Sequence, residues 1–233
     1  MERIDKVLST GGVFSRSECK KAVKARRIKL NGKLVKSADE KVDVCVDEIT
    51  VDDKKVTISK FVYVMLNKPQ GVVSAGENER DKTVIDILPD SFKRTGLFPA
   101  GRLDKDTVGL IIITNDGVSA HKRLSPKTHA EKVYYFETAY PFTDGEAEEL
   151  SRGVTLKDGF KTAPLKIERY SENSGEITLT EGKYHEIKRL FGYTGNKITY
   201  LKRISFAGIT LDERLNEGEA RFLTDEEVKL FTE

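Results

Sequence analysis

The carboxylate with most chemical promise in this chain is Asp104, set in the run Gly101-Arg102-Leu103-Asp104-Lys105-Asp106-Thr107-Val108-Gly109-Leu110. That run leads straight into Ile111-Ile112-Ile113-Thr114, an apolar strand pattern, so an acid is delivered beside a buried scaffold. Arg102 and Lys105 flank it, while Gly101 and Gly109 leave room for a close backbone or a ligand. A carboxylate placed this way can work as acid, base or nucleophile. It can equally close an Asx-type turn ahead of a core strand. Asp106 does not complete a glycosidase pair with it, because residues two apart on one loop do not face each other across a sugar. His121, His129 and His185 share no metal spacing, so no metal site is expected. There is no GxGxxG and no phosphate loop.

The elements that must position this loop are legible as periodicities. Ile4, Val7 and Leu8 share a helical face that Gly11-Gly12 ends. Ser15 and Glu18 then match a capping box, after which Cys19, Ala22 and Val23 form an apolar stripe and Arg16, Lys20, Lys24 and Arg27 a cationic one. Ile28 to Leu30, Asn31-Gly32, and Lys33 to Val35 read as a tight hairpin with a type I′ turn. Val42, Val44 and Val46 alternate with polar residues, and the strand signal continues through Ile49, Val51, Val56 and Ile58 to about residue 59. From Phe61 to Leu66 runs a buried strand that ends in a turn at Pro69 and Gly71. Strands near 132–139, 164–170, 175–180 and 198–204 then mix with helices near 119–124, 145–153 and 185–193. The predicted fold class is α+β: a small N-terminal helix-helix-hairpin module over 1–59, and a domain over 60–233 with a mixed, mostly antiparallel sheet.

Composition sets the outer limits. With 38% apolar and 33% charged residues the chain is an ordinary globular one, and its net charge of +2 hides a concentration of nine basic residues against Glu18 alone between 16 and 36. Such a patch is either a solvated face or a site for a polyanion, and its continuation into the hairpin at Lys33 favours the second. Cys19 and Cys45 offer no disulfide framework and are read as small core residues. The start Met1-Glu2-Arg3-Ile4-Asp5-Lys6 is too charged for a secretory segment, and the uncharged run 107–115 is too short to span a bilayer, so a cytoplasmic protein is expected.

The run at 101–110 fits the pattern GRLDxxTxGL and resembles the catalytic motif of the pseudouridine synthases, in the branch named for ribosomal small-subunit pseudouridine synthase A. The first sixty residues resemble the S4-type RNA-binding domain. The resemblance implies that Asp104 is the essential aspartate. It implies that Tyr134, in Glu131-Lys132-Val133-Tyr134-Tyr135, lies against the target base, with Tyr135 on the opposite face. In Glu181-Gly182-Lys183-Tyr184-His185-Glu186-Ile187-Lys188-Arg189-Leu190-Phe191 the apolar residues share a stripe and the cations flank it. By resemblance Lys188 is the basic partner of the aspartate, a position where most related branches carry arginine. Lys68 to Val72 matches the family's first motif, a turn beside the cleft. Arg102 would brace the loop or hold a phosphate, and Arg16, Lys20, Lys24, Arg27, Lys33 and Arg189 would contact RNA. The implied activity is isomerisation of one uridine in 16S ribosomal RNA by a monomer, on free RNA or a small-subunit assembly intermediate. No cofactor is needed, since the reaction has no external reactant. The alternatives are the sister activity on 23S RNA and a non-catalytic ribosome-assembly factor using the same surfaces.

Overall fold

The computed structural model describes residues 1–44, 46–56, 61–94, 96–125 and 128–233, which divide into two compact units. The first comprises Met1–Val62 with Pro89–Leu97, and the second Tyr63–Leu88 with Phe98–Glu233. The expected division at 59 and 60, and Cys45, lie outside the described residues.

In the first unit β1 (Glu2–Arg3) leads into α1 (Ile4–Thr10) and α2 (Arg16–Lys24), followed by β2 (Ile28–Leu30), β3 (Lys33–Leu34), β4 (Lys41–Val42), β5 (Ile49–Val51) and β6 (Lys54–Val56). The capping box forms as the sequence implies: Glu18 N–H donates to Ser15 Oγ at 3.2 Å and Ser15 N–H to Glu18 Oε2 at 2.7 Å. Cys19, Ala22 and Val23 are buried against Ile4, Val7, Leu8, Ile28 and Ile49, while Arg16, Lys20 and Lys24 face solvent. Asn31 and Gly32, at φ 50° and 76°, close the β2–β3 hairpin in the left-handed geometry expected of Asn-Gly.

The strand expected from 42 to about 59 is interrupted twice. Asp47 N–H donates to the Asp43 carbonyl and Asp43 N–H to Asp47 Oδ2, both at 2.8 Å, so this stretch turns and leaves Val46 81% exposed. Local aspartate bonding to backbone overrides the valine alternation. A second hairpin then reverses the chain at Asp52-Asp53, with φ 49° and 62°, and pairs Val51 with Lys54. Aspartate tolerates this region, and here both acids are also held by cations, Asp52 by Arg27 at 2.6 Å and Asp53 by Lys29. The sheet order among the described residues is β3-β2-β5-β6, with β1 paired separately to β4.

The second unit contains β7 (Tyr63–Lys68), β8 (Phe98–Ala100), β9 (Val108–Thr114), α3 (Gly117–Leu124), β10 (Lys132–Thr138), α4 (Asp144–Ser151), β11 (Lys166–Arg169), β12 (Ser174–Leu179), α5 (Glu186–Tyr193), β13 (Ile198–Phe206), β14 (Ile209–Thr210), β15 (Ala220–Phe222) and α6 (Asp225–Thr232). Its sheet runs β11-β12-β10-β13-β9-β7-β15, with β8 added to β9 and β14 to β13. Among the described strands only β13 and β9 pair in parallel, so the mostly antiparallel expectation holds. β7 and β9 are buried along their whole length, which is why both read as near-continuous apolar runs.

The parallel pair brings two strands into close approach at a glycine. Gly109 is in register with Lys68 on one side and Arg203 on the other, at φ +98°. A Cβ there would meet the Arg203 carbonyl oxygen at 2.3 Å, so only glycine lets the two strands approach. Phe191 of α5 packs on Phe136 of β10 at 4.7 Å and on Phe142 at 5.6 Å. This cluster, with Ile187 and Leu190 buried beside it, fixes α5 and therefore Lys188. Among the described residues no helix is long and apolar enough to cross a membrane.

Candidate active site

The loop carrying Asp104 is fastened from three directions by buried polar groups. Lys68, completely buried, donates to the carbonyls of Thr107 at 2.8 Å, Pro69 at 3.1 Å and Lys105 at 3.3 Å. Burial pushes its ammonium down to about 8, yet three carbonyl acceptors suit the charged form, so it remains mainly cationic at neutral pH. Ser74 Oγ donates to the Leu103 carbonyl at 2.8 Å and accepts from the Leu103 N–H at 3.0 Å. Arg203, also buried, donates from Nε to the Leu110 carbonyl at 2.7 Å and from Nη2 to that of Gly101 at 3.1 Å. Both ends of the loop are thus bonded to the sheet that β9 enters.

Lys188 reaches this loop from α5, 84 residues along the chain. Its Nζ lies 2.9 Å from Asp104 Oδ2 and 2.5 Å from Asp106 Oδ1, while Lys105 turns away to pair with Asp81 at 2.6 Å. His185 Nε2 stands 3.5 Å from the same Asp104 Oδ2. Both nitrogens gather on one oxygen, and Asp104 Oδ1 has no partner among the described residues. Partial burial works against ionisation of Asp106, but the Lys188 ammonium outweighs it and the carboxyl titrates below the ordinary range. Burial likewise opposes the charge on Lys188, and its hydrogen bonds to Asp106 and Asp104 more than offset this, raising its pKa. With the ammonium between them, the two carboxylates cannot straddle a sugar as a glycosidase pair does.

A cavity of about 80 Å³ opens over Asp104, lined also by Arg102, Tyr134, His185, Glu186 and Lys188. The loop, β10 and α5 therefore bring Asp104, Arg102, Tyr134 and Lys188 to one cleft. Tyr134 is buried in its wall, while neighbouring Tyr135 lies outside it, donating to Glu137 at 3.0 Å and packed edge-on against Tyr200. Arg102 is exposed and makes no hydrogen bond or ion pair among the described residues. Arg189 is not part of the lining; it pairs with Asp158 at 2.5 Å and donates to the Tyr184 carbonyl at 3.3 Å. In the first unit Arg27 is engaged by Asp52, whereas Arg16, Lys20, Lys24 and Lys33 carry no ion pair among the described residues.

Sequence reasoning missed the supports of the loop and the second neighbour of Asp104, His185. Lys68 ends an otherwise apolar buried strand, which is a signal for a buried cation. Arg203 and Ser74 gave none, since their partners are distant carbonyls. By spacing alone His185 reads as a hydrogen-bonding or RNA-contacting histidine, and Asp106 as half of a pair that the loop cannot set across a sugar.

Comparison with known proteins converges on these same elements. The sequence model of RNA pseudouridylate synthases matches residues 62–193, and that of the S4 domain matches residues 2–47. An uncharacterised RNA pseudouridine synthase of Bacillus subtilis is 43% identical over 99% of this chain and 98% of its own. The ribosomal small subunit pseudouridine synthase A of Haemophilus influenzae is 36% identical over 97% of this chain and 98% of its own. The ribosomal large subunit pseudouridine synthase B of Bacillus subtilis is also 36% identical, over 98% and 95%. A crystal structure of a pseudouridylate synthase superimposes with a TM-score of 0.69 at 36% identity, covering 99% of this chain and all of that one. The chain therefore belongs to the RNA pseudouridylate synthase family and carries an S4 domain at its N-terminal end.

Proposed function

We propose that this protein isomerises one uridine of 16S ribosomal RNA to pseudouridine, in the cytoplasm and as a monomer, with residues 1–59 docking on RNA and residues 60–233 performing the chemistry. The observation that carries the reading is the Lys188 ammonium on Asp104 Oδ2, which leaves Oδ1 unpaired beside a cavity walled by Tyr134.

The reaction breaks the bond from C1′ to N1, turns the uracil, joins C1′ to C5, and moves one proton from C5 to N1. It requires an anion at the sugar and base and a wall that retains the detached ring. Asp104 supplies the anion through Oδ1, whether it first adds to C1′, adds to the base or takes the 2′ proton. Lys188 keeps that charge in place without occupying the reacting oxygen. Tyr134 supplies a face on which uracil can turn. A helix-stacked uridine hides its glycosidic bond, so the nucleotide must be extruded, and the unengaged Arg102 guanidinium is suited to hold its phosphate. The exposed cations of α2 and the β2–β3 hairpin form the surface that holds neighbouring RNA, free or in an assembling small subunit.

Similarity over full length to named small-subunit synthases supports the 16S assignment, as does lysine rather than arginine at 188. Equal identity to a large-subunit synthase keeps 23S RNA as the second reading. Incubation with transcribed 16S and 23S RNA followed by site mapping decides between them. One new pseudouridine in 16S RNA is expected from the wild type and none from Asp104→Asn. A 23S site would transfer the substrate assignment, and no product in either RNA, whether free or within assembling subunits, would overturn the enzymatic reading.

A further inference from the structure

Beside the cleft lies a pair of rings that the isomerisation itself does not use: His185 lines the cavity, and Tyr184, its neighbour in the chain, lies outside the lining. Tyr184 is 76% exposed, and its ring lies flat on the imidazole of His185, 3.8 Å between centroids with 20° between planes. That imidazole edge is the one facing Asp104, so the stack leads from the reacting carboxylate towards solvent. One face of the tyrosine is covered by His185, and its exposure leaves the other open.

The stack is built in advance of any substrate. His185 sits at φ +50°, a left-handed conformation that a residue with a Cβ adopts at a cost of about 1 kcal/mol or more. The turn is held by the Lys183 N–H donating to Glu186 Oε2 at 2.8 Å and by Arg189 donating to the Tyr184 carbonyl at 3.3 Å. Two exposed cations line the cavity that His185 enters: Lys183, its ammonium over the Phe160 ring at 5.6 Å, and Arg102. An exposed aromatic ring, stacked on one face and open on the other, next to a cavity lined by two exposed cations, suits a nucleic-acid base.

We infer that the open face of Tyr184 is a stacking site for the base next to the target uridine, separate from the Tyr134 wall that meets the uracil. This rests on the RNA reading proposed above. Extruding a uridine deprives its neighbour of a stacking partner, and an aromatic ring beside the cleft replaces it. The platform reads no hydrogen-bond pattern, so it accepts any base.

The test uses the full-length protein and a fragment of ribosomal RNA spanning its mapped uridine, with 2-aminopurine substituted in turn at each flanking position. In one of the two positions the wild type should quench the fluorescence, Tyr184→Phe should do the same, and Tyr184→Ala should not. Base-aromatic stacking implies that Tyr184→Ala raises KM on the order of 10-fold, the loss appearing in KM rather than kcat. An abasic residue at the responsive position should make the wild type and Tyr184→Ala equal. Equal quenching and equal KM for wild type and Tyr184→Ala on the intact fragment would overturn the inference. Absence of pseudouridine from the wild-type reaction would instead remove the reading on which it rests.

Discussion

Replacing Lys188 by glutamine removes the ammonium that bonds both Asp104 and Asp106 and leaves a neutral hydrogen-bond donor on a side chain one atom shorter. At 2.9 Å the gross attraction between Lys188 and Asp104 is about 6 kcal/mol at an effective dielectric near 20. Desolvation cancels much of that. Losing one partner costs about 3–5 kcal/mol for a buried pair and about 1 kcal/mol or less for an exposed one. Lys188 and Asp104 side chains are 24% and 30% exposed, between these limits. A loss of about 2 kcal/mol, or roughly 30-fold in the single-turnover rate, is therefore expected, with RNA affinity nearly unchanged. The pH dependence of stability adds a second readout. Asp106 titrates below its ordinary range, so its contribution is present above about pH 4 and lost as pH falls through the lower folded value. Lys188 titrates above its own, so its contribution is complete below about pH 10.4 and lost as pH rises through the higher folded value. The stability difference between Lys188→Gln and wild type should thus be flat from about pH 5 to 9 and shrink in stronger acid. Urea unfolding at several pH values and stopped reactions with excess enzyme measure both effects. A wild-type single-turnover rate in Lys188→Gln would refute the assignment of this ammonium to the reacting carboxylate.

Glu186 is 4% exposed, its Oε1 has no partner, and burial together with Glu181 pushes its carboxyl up to about 7 despite the Lys183 N–H and nearby Lys132. The folded chain holds this proton between about pH 4.5 and 7 while the unfolded chain has released it, so wild-type stability falls as pH rises through that window. Relative to wild type, Glu186→Gln should gain up to roughly 3 kcal/mol of stability across the window and nothing further above it, as read by denaturant unfolding; a constant difference contradicts the buried acid. In the first unit, replacing Lys20 and Lys24 by alanine should flatten the plot of log affinity against log salt by about 1.4 to 1.8. Arg27→Ala should change the slope less, because Asp52 already holds that guanidinium at 2.6 Å; equal effects from all three would reject the distinction.

Legibility in the sequence followed the range of the interactions. The α2 cap, the Asn-Gly hairpin and the apolar face of α5 are decided within a few residues, and all three stand where the periodicity put them. The turn at Asp43 to Asp47 was hidden behind valines, because a short acidic side chain can seize a backbone N–H and end a strand that alternation alone would extend. The Asp52-Asp53 hairpin was hidden because its left-handed backbone is held by Arg27 and Lys29, 25 and 24 residues away. The final helix, α6, escaped although Thr224 and Glu227 form its capping box, since its stripe is short and Phe231 packs on Tyr63 from the other end of the domain. At the site, the motifs supplied Asp104, Tyr134 and Lys188 as candidates. The geometry around them depends on long-range partners. Nothing near Arg203 in the chain indicates that its guanidinium grips the carbonyls of Gly101 and Leu110.

The most direct test of the proposed chemistry follows the proton that leaves C5. Ribosomal RNA transcribed with tritium at C5 of uridine releases the label only when C1′ is joined to that carbon, so release under single-turnover conditions reports the isomerisation itself. Asp104→Asn keeps the shape of the side chain and its contact distance to Lys188 but lacks the anionic Oδ1. It should bind the RNA within a few fold of wild type and release no tritium above background. Release at the wild-type rate would contradict the assignment of Asp104 as the reacting group.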